Sequence, residues 1–243
     1  MQDERNQNQI VRKDARDCFV ESLNDAFEIG KTHFAFASYD MSKPAGSRQT
    51  NSVHIYINAD EFLELCRKIT SGELRYMLQA KKQNRDSTYL YQHLGGTSAK
   101  NLYRQGRARA DGKSLSRTVQ LLPSTKSDFL FVADSGPGEE TPKGLIVPKF
   151  GKNPENHVSV MMTYDAFSEL MLLTKAHYQA WLTAWYIQNP VVKQDKKPSA
   201  EKKAARPVER NTPGAPSDGY GALPLFQYYF RLGHNKCCAP FFI

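Results

Sequence analysis

The 243-residue chain carries 33 Lys and Arg against 25 Asp and Glu, a formal net charge of +8, with 40% hydrophobic residues. That supplies a core for one large or two small domains, and the charge favours an anionic partner. No run approaches the ~18 apolar residues of a membrane span, the polar start lacks the apolar stretch of a secretory signal, and Cys18, Cys66, Cys237 and Cys238 lack zinc-site spacing, so the expectation is a cytoplasmic protein with reduced thiols, no membrane contact, no metal and no cofactor.

Residues 1–15 are charged and polar and read as a flexible N-terminus. Residues 31–39 (KTHFAFASY) form a β-favouring run rich in aromatic residues. After a Gly-Pro loop at residues 41–51, residues 53–57 (VHIYI) alternate, which places Val53, Ile55 and Ile57 on one face of a strand. A helix follows, with Asn58 as N-cap and Glu61 completing a capping box. Phe62, Leu65, Cys66 and Ile69 continue it with helical spacing.

Residues 115–122 (LSRTVQLL), 126–134 (KSDFLFVAD) and 144–150 (GLIVPKF) read as further strands, with a Gly-Pro-rich turn at residues 135–143. Residues 158–162 lead to an N-cap at Thr163 and a helix through Trp181 and Trp185 to Gln188, stopped by Pro190. Tyr178, Trp181 and Trp185 suit core or subunit-interface packing. Residues 191–219 are rich in Pro, Ala, Lys and Gly and lack aromatic residues, the composition of a disordered basic linker. Residues 220–243 turn apolar and aromatic again, a segment able to dock or to engage a protein partner.

The chain contains an internal repeat. KTHFAFASY aligns with KSDFLFVAD, and the string from Val53 to Leu65 aligns with that from Val158 to Leu170. Matched identities include Phe34/Phe129, Phe36/Phe131, Val53/Val158, Asp60/Asp165, Phe62/Phe167, Glu64/Glu169 and Leu65/Leu170. The expectation is an α+β fold of two repeated antiparallel β-sheet-plus-helix units, about 17–85 and 100–190, within a domain spanning 16–190. Each unit buries one sheet face under a helix and frees the other for function. The opening strand of the first unit falls at residues 18–23, unless a helix replaces it there.

Repeated β-β-β-β-α units with basic and aromatic sheet positions resemble the Whirly and PC4-like group of single-stranded-DNA-binding proteins, and more distantly the PUR repeats. The resemblance covers residues 17–190 and is one of element order. The Whirly Lys-Gly-Lys-Ala-Ala-Leu motif is absent, its nearest string being ADGKSLSR at residues 110–117. The resemblance implies sequence-tolerant binding of extended single strands of DNA or RNA across sheet faces, a possible homo-oligomer, and a setting in a conjugative element or phage.

The charge distribution fits that expectation. Residues 75–117 hold ten Lys and Arg against only Asp86 and Asp111, interleaved with Tyr76, Tyr89, Tyr91 and Tyr103. Cations neutralise phosphates, and each base stacked on an aromatic ring contributes about 1–3 kcal/mol. Candidate contacts are Lys100, Tyr103, Arg104, Arg107, Arg109, Lys113 and Arg117 from this segment. Tyr39, His54 and Tyr56 come from the first unit's strands, Lys43 and Arg48 from its Gly-Pro loop, and Lys149 and Lys152 from the second unit's turn. Gly95 and Gly96 allow close backbone approach. A solvated helix face followed by a loop explains the same charge run.

No P-loop, dinucleotide fingerprint or nucleophile elbow is present. The one catalytic alternative, a nuclease built on Asp134, Glu139 and Glu140, rests on three acids in a turn, and the expectation is a non-enzymatic protein. The alternative reading is a protein-interaction module, such as a phage or mobile-element inhibitor of a host nuclease or polymerase.

Overall fold

A computed structural model describes residues 7–190, all within one unit. The fold is α+β, with two antiparallel sheets and four α-helices among the described residues. The expectations for residues 191–219 and 220–243 lie outside them.

The first sheet is a meander of β1 (Gln9–Asp14), β2 (Cys18–Leu23), β3 (Lys31–Tyr39) and β4 (Gln49–Asn58), in that spatial order. β1 lies within the stretch that composition marks as a flexible start. Its polar residues pair in register with β2, and Val11 packs against the core. Residues 18–23 are a strand, as the first of the two expectations held. Helices α1 (Ala59–Thr70) and α2 (Glu73–Gln83) follow, so the first unit ends in two helices rather than one. Phe62, Leu65, Cys66 and Ile69 are buried along α1, the face that its spacing predicts.

The second sheet contains β5 (Tyr91–Thr97), β6 (Ser114–Pro123), β7 (Phe129–Glu140), β8 (Ile146–Pro148) and β9 (Asn156–Met162). A short helix, α3 (Ala99–Arg104), sits between β5 and β6, and α4 (Tyr164–Gln188) closes the unit. The strand β7 takes in residues 135–140 of the segment expected to be a turn, and the turn itself is confined to the residues that follow. Its first half pairs with β9 and its end with β8. Glycine makes this possible: a Cβ at Gly138 would lie 2.7 Å from Ile146 Cγ2 and 2.8 Å from Ser116 Cβ. Only glycine lets β6, β7 and β8 pack that closely.

The two sheets share one core. Phe36 of the first and Phe131 of the second meet edge to face, with centroids 4.9 Å apart. Such a pair adds about 0.5–1.5 kcal/mol to what burial already contributes. The units are not two separately covered layers, because α1 and α4 each engage both sheets. Phe62 of α1 packs on Phe34 of its own sheet, while Glu61 reaches across to Tyr91 and His93 of β5. Phe167 of α4 packs on Phe129 and Phe131 of its own sheet. Further along, Glu169 pairs with Lys13 of β1 and Thr174 bonds Ser22 of β2.

Register corrects the repeat alignment. Phe34 lies opposite Ile55 and Phe36 opposite Val53, whereas Phe131 lies opposite Val160 and Ala133 opposite Val158. The structural counterparts are therefore Phe34 with Phe131 and Phe36 with Ala133, two residues away from the best string match. An even shift keeps every side chain on its face, so the hydrophobic pattern tolerates it where a one-residue slip would be ruinous. From Val53/Val158 through Leu65/Leu170 the string match and the structure agree, with all of Val53, Val158, Phe62, Phe167, Leu65 and Leu170 buried.

Candidate functional site: a basic groove beside β4

Strand β4 leads along the second sheet, and beyond the core a groove of about 670 Å³ opens beside it. Ile55, Tyr56 and Asn58 of β4 form one wall with Lys31. His93 to Thr97 of β5 and Arg117 of β6 form the other, and Gln105, Arg107 and the β7–β8 turn complete the lining. The volume falls within the ~300–1,000 Å³ of small-ligand sites.

Arg117 gives the groove its character. It stands opposite Gly95 in register, half-buried, and its Nη1 donates to Thr97 Oγ1 at 2.9 Å. Among the described residues it has no carboxylate partner within ion-pair distance. Burial pulls its pKa below the ordinary arginine range, and nearby Arg107 adds to the effect. A guanidinium stays charged in proteins, so this is a partly desolvated cation without a counter-charge. Such a group is costly unless an anion joins it. Lys31 is anchored to Asn58 Oδ1 at 3.0 Å, and Arg107 is exposed on the rim.

Next to Tyr56 of the groove wall, the first sheet carries a hydrogen-bonded series. His33 Nδ1 lies 2.7 Å from Asp25 Oδ1, His33 Nε2 lies 2.9 Å from His54 Nδ1, and His54 Nε2 lies 3.1 Å from Ser52 Oγ. The His33 ring stacks on Tyr56 with centroids 4.3 Å apart. Burial lowers both histidine pKa values, and for His54 the neighbouring His33 and Arg117 lower it further. At the groove floor His93 Nδ1 lies 2.8 Å from Glu61 Oε2. Burial pushes the Glu61 carboxyl up, but hydrogen bonds from His93 and Tyr91 outweigh it and hold the group below the ordinary glutamate range. Glu61 is therefore a clasp to β5, not part of a capping box, and the Asn58 side chain makes no cap bond. Thr163 does cap its helix, accepting from the Ala166 amide.

Of the residues singled out in the sequence, the structure gathers Tyr56, Arg107 and Arg117 in the groove, with His54 beside them. The remaining cations of residues 75–117 divide. Arg75 covers the Tyr164 ring and faces Asp165, Lys81 pairs with Asp86, and Lys82 with Asp128. Arg109 is held by both Asp111 and Glu155, a structural clamp. Lys100, Tyr103 and Arg104 stand exposed on α3. Lys113 and Lys149 line a separate hollow with Glu139 and Glu140, and Lys149 pairs with Glu139 at 2.8 Å. Lys152 is exposed before β9. Lys43 and Arg48 share the β3–β4 loop, where Arg48 Nε donates to Lys43 O at 3.2 Å. Tyr39 turns its hydroxyl to the Ala15 and Arg16 carbonyls.

Gly95 and Gly96 both line the groove, and Gly96 serves the sheet as well. A Cβ at Gly96 would lie 2.3 Å from Leu115 O and 2.9 Å from Ile146 Cγ2, so the close approach is to β6 and β8. The three acids considered for nuclease chemistry do not converge. Asp134 is matched with His157 at 2.7 Å, and Glu139 lies five residues along the same strand, about 16 Å away at ~3.3 Å per residue.

Lys31, Thr97, Asp25 and the pairing of His33 with His54 were missed in the sequence. Only Lys31 carried a signal, as the first residue of the repeated string. Among the described residues no group of three His, Cys, Asp or Glu could hold a metal ion, and no helix is long and apolar enough to cross a membrane. No family model, curated protein or solved structure matches the chain.

Proposed function

We propose that this chain binds single-stranded nucleic acid without sequence preference, seating the phosphate backbone against Arg117, Arg107 and Lys31. The observation that carries the reading is Arg117, a half-buried guanidinium that bonds Thr97, has no carboxylate partner among the described residues and lines an open groove. A phosphate oxygen is the ligand group best matched to two neighbouring guanidinium forks. Tyr56 and the exposed Tyr103 offer faces for unpaired bases. The element order, four antiparallel strands before a helix with α2, α3 and β8 added, supports a kinship with the Whirly and PC4-like group.

The test is fluorescence anisotropy with labelled thymidine oligonucleotides of rising length, against a single nucleotide and a duplex. The expected result is affinity that grows with length, prefers single strands and weakens with salt. Three neutralised phosphates imply a log–log slope of about −2 for a single strand. Arg117→Gln should weaken binding about tenfold or more, while Arg109→Gln should leave affinity within about twofold, because Arg109 is already neutralised. Absence of binding at low salt would defeat the reading and turn attention to a protein partner at the exposed Trp185, Tyr186 and Ile187 end of α4.

A further inference from the structure

The series Asp25–His33–His54–Ser52 fixes where its protons lie. A carboxylate can only accept, so His33 Nδ1 donates to Asp25. In a neutral imidazole the other nitrogen then has no proton, so His33 Nε2 must accept from His54 Nδ1. That leaves His54 Nε2 as the single bare nitrogen of the series, and Ser52 donates its hydroxyl proton to it. Any added proton has one vacant place, His54 Nε2. Taking it makes His54 an imidazolium and turns Ser52 from donor to acceptor.

The groups around that place are of both signs. Arg117 from β6 and Arg107 from the loop after α3 bear on His54 and oppose a positive charge there. Asp25, before β3, favours one through His33. Tyr56 of β4 is a phenol stacked on His33. Glu21 of β2 lies two strands over in the same row beyond Ala35, where Arg12 of β1 bears on it. In the empty groove the arginines and burial keep the histidine pair neutral. A phosphodiester held by Arg117 and Arg107 cancels the opposing charge, while Ser52 Oγ accepts the new N–H.

We infer that binding of a phosphodiester in this groove is coupled to uptake of one proton at His54 Nε2, the bound phosphate charge offsetting the two arginines that oppose an imidazolium there. This rests on the proposed nucleic-acid reading. The consequence is affinity that rises as pH falls, the sign set by a charge that the bound state holds more readily than the free state.

The experiment is titration of a thymidine oligonucleotide, whose bases do not protonate in this range, by anisotropy from pH 8 to 5.5. Calorimetry at pH 6.5 in two buffers of different ionisation enthalpy counts the protons. The expected result is affinity rising about fivefold between pH 7.5 and 5.5, which corresponds to a mean net uptake of about 0.35 proton per complex across that range. His54→Gln should flatten the profile, whereas in His93→Gln the slope should persist whatever its affinity, which separates His54 from the other groove histidine. Binding without proton uptake, or uptake that survives in His54→Gln, overturns the inference and leaves the nucleic-acid reading standing. No binding at any pH removes both. Circular dichroism of each variant confirms that a flattened profile is not lost structure.

Discussion

Cys18 and Arg117 occupy corresponding places in the two sheets. Cys18 pairs with Ser38 two residues before Val20, and Arg117 pairs with Ser135 two residues before Val119. Each approaches the last strand of the other sheet. Cys18 donates its thiol to Ser159 O of β9 at 3.2 Å, a neutral, closed contact. At the counterpart of Ser159 stands His54 of β4, and there Arg117 brings a charge that no carboxylate among the described residues matches. The first unit uses the position to seal the core edge, and the second leaves it open as a groove. A repeated plan thus gives two equivalent corners, and chemistry at one residue separates a closed, neutral corner from an open, basic one. The same contrast appears in the cross-unit clasps: Lys13 of β1 meets Glu169 at the surface, whereas His93 and Tyr91 of β5 meet a partly buried Glu61.

The largest effect should come from breaking the core that the units share. Phe36→Ala and Phe131→Ala remove the two rings that meet between the sheets, both fully buried. Each should cost about 3–5 kcal/mol, read from guanidinium denaturation. Because the core is common, both variants should shift one cooperative transition. Two separate transitions, each moved by only one variant, would show that the units fold independently.

A smaller effect sharpens the comparison of clasps. Glu61→Gln disturbs hydrogen bonds to His93 and Tyr91 and should cost about 1–3 kcal/mol. Glu169→Gln weakens an exposed ion pair and should cost under about 1 kcal/mol. The depressed Glu61 carboxyl adds a sign: its contribution is present above the ordinary glutamate range and is lost as pH falls through its lowered value. Equal losses in the two variants at neutral pH would erase the distinction.

The smallest effect concerns the histidine pair. His33 and His54 have lowered pKa values in the folded state, so the unfolded chain takes up protons first as pH falls. Stability should be constant above about pH 7.5 and decline as pH drops through ~6.5, the ordinary histidine value. Thermal melts of the protein without ligand from pH 8 to 5.5 measure this, and His33→Gln should reduce the slope. Without ligand the decline and the binding gain run in opposite directions, which distinguishes them.

Much of the fold could be read directly because its signals are local. Alternation at residues 53–57, helical spacing from Phe62 to Ile69 and the Thr163 cap each depend on neighbours a few residues apart. The strand through Gly136-Pro137-Gly138 was misread as a turn because the reason for those glycines is a contact with Ile146 and Phe150. In the site, composition pointed to the basic segment but not to which cation is unpaired. Arg109 has Asp111 two residues away, but its second partner, Glu155, lies 46 residues off and comes near only through the fold. The sequence by itself determined β3, β4, β6, β9 and the buried faces of α1 and α4, but not β1, β5, α2 or α3, since periodicity and capping act over one or two turns of chain. Tertiary structure alone decided that the units interlock, that β4 faces Arg117 and that His33 bridges Asp25 to His54, because charge compensation and hydrogen bonding depend on which side chains the packing brings within about 3 Å.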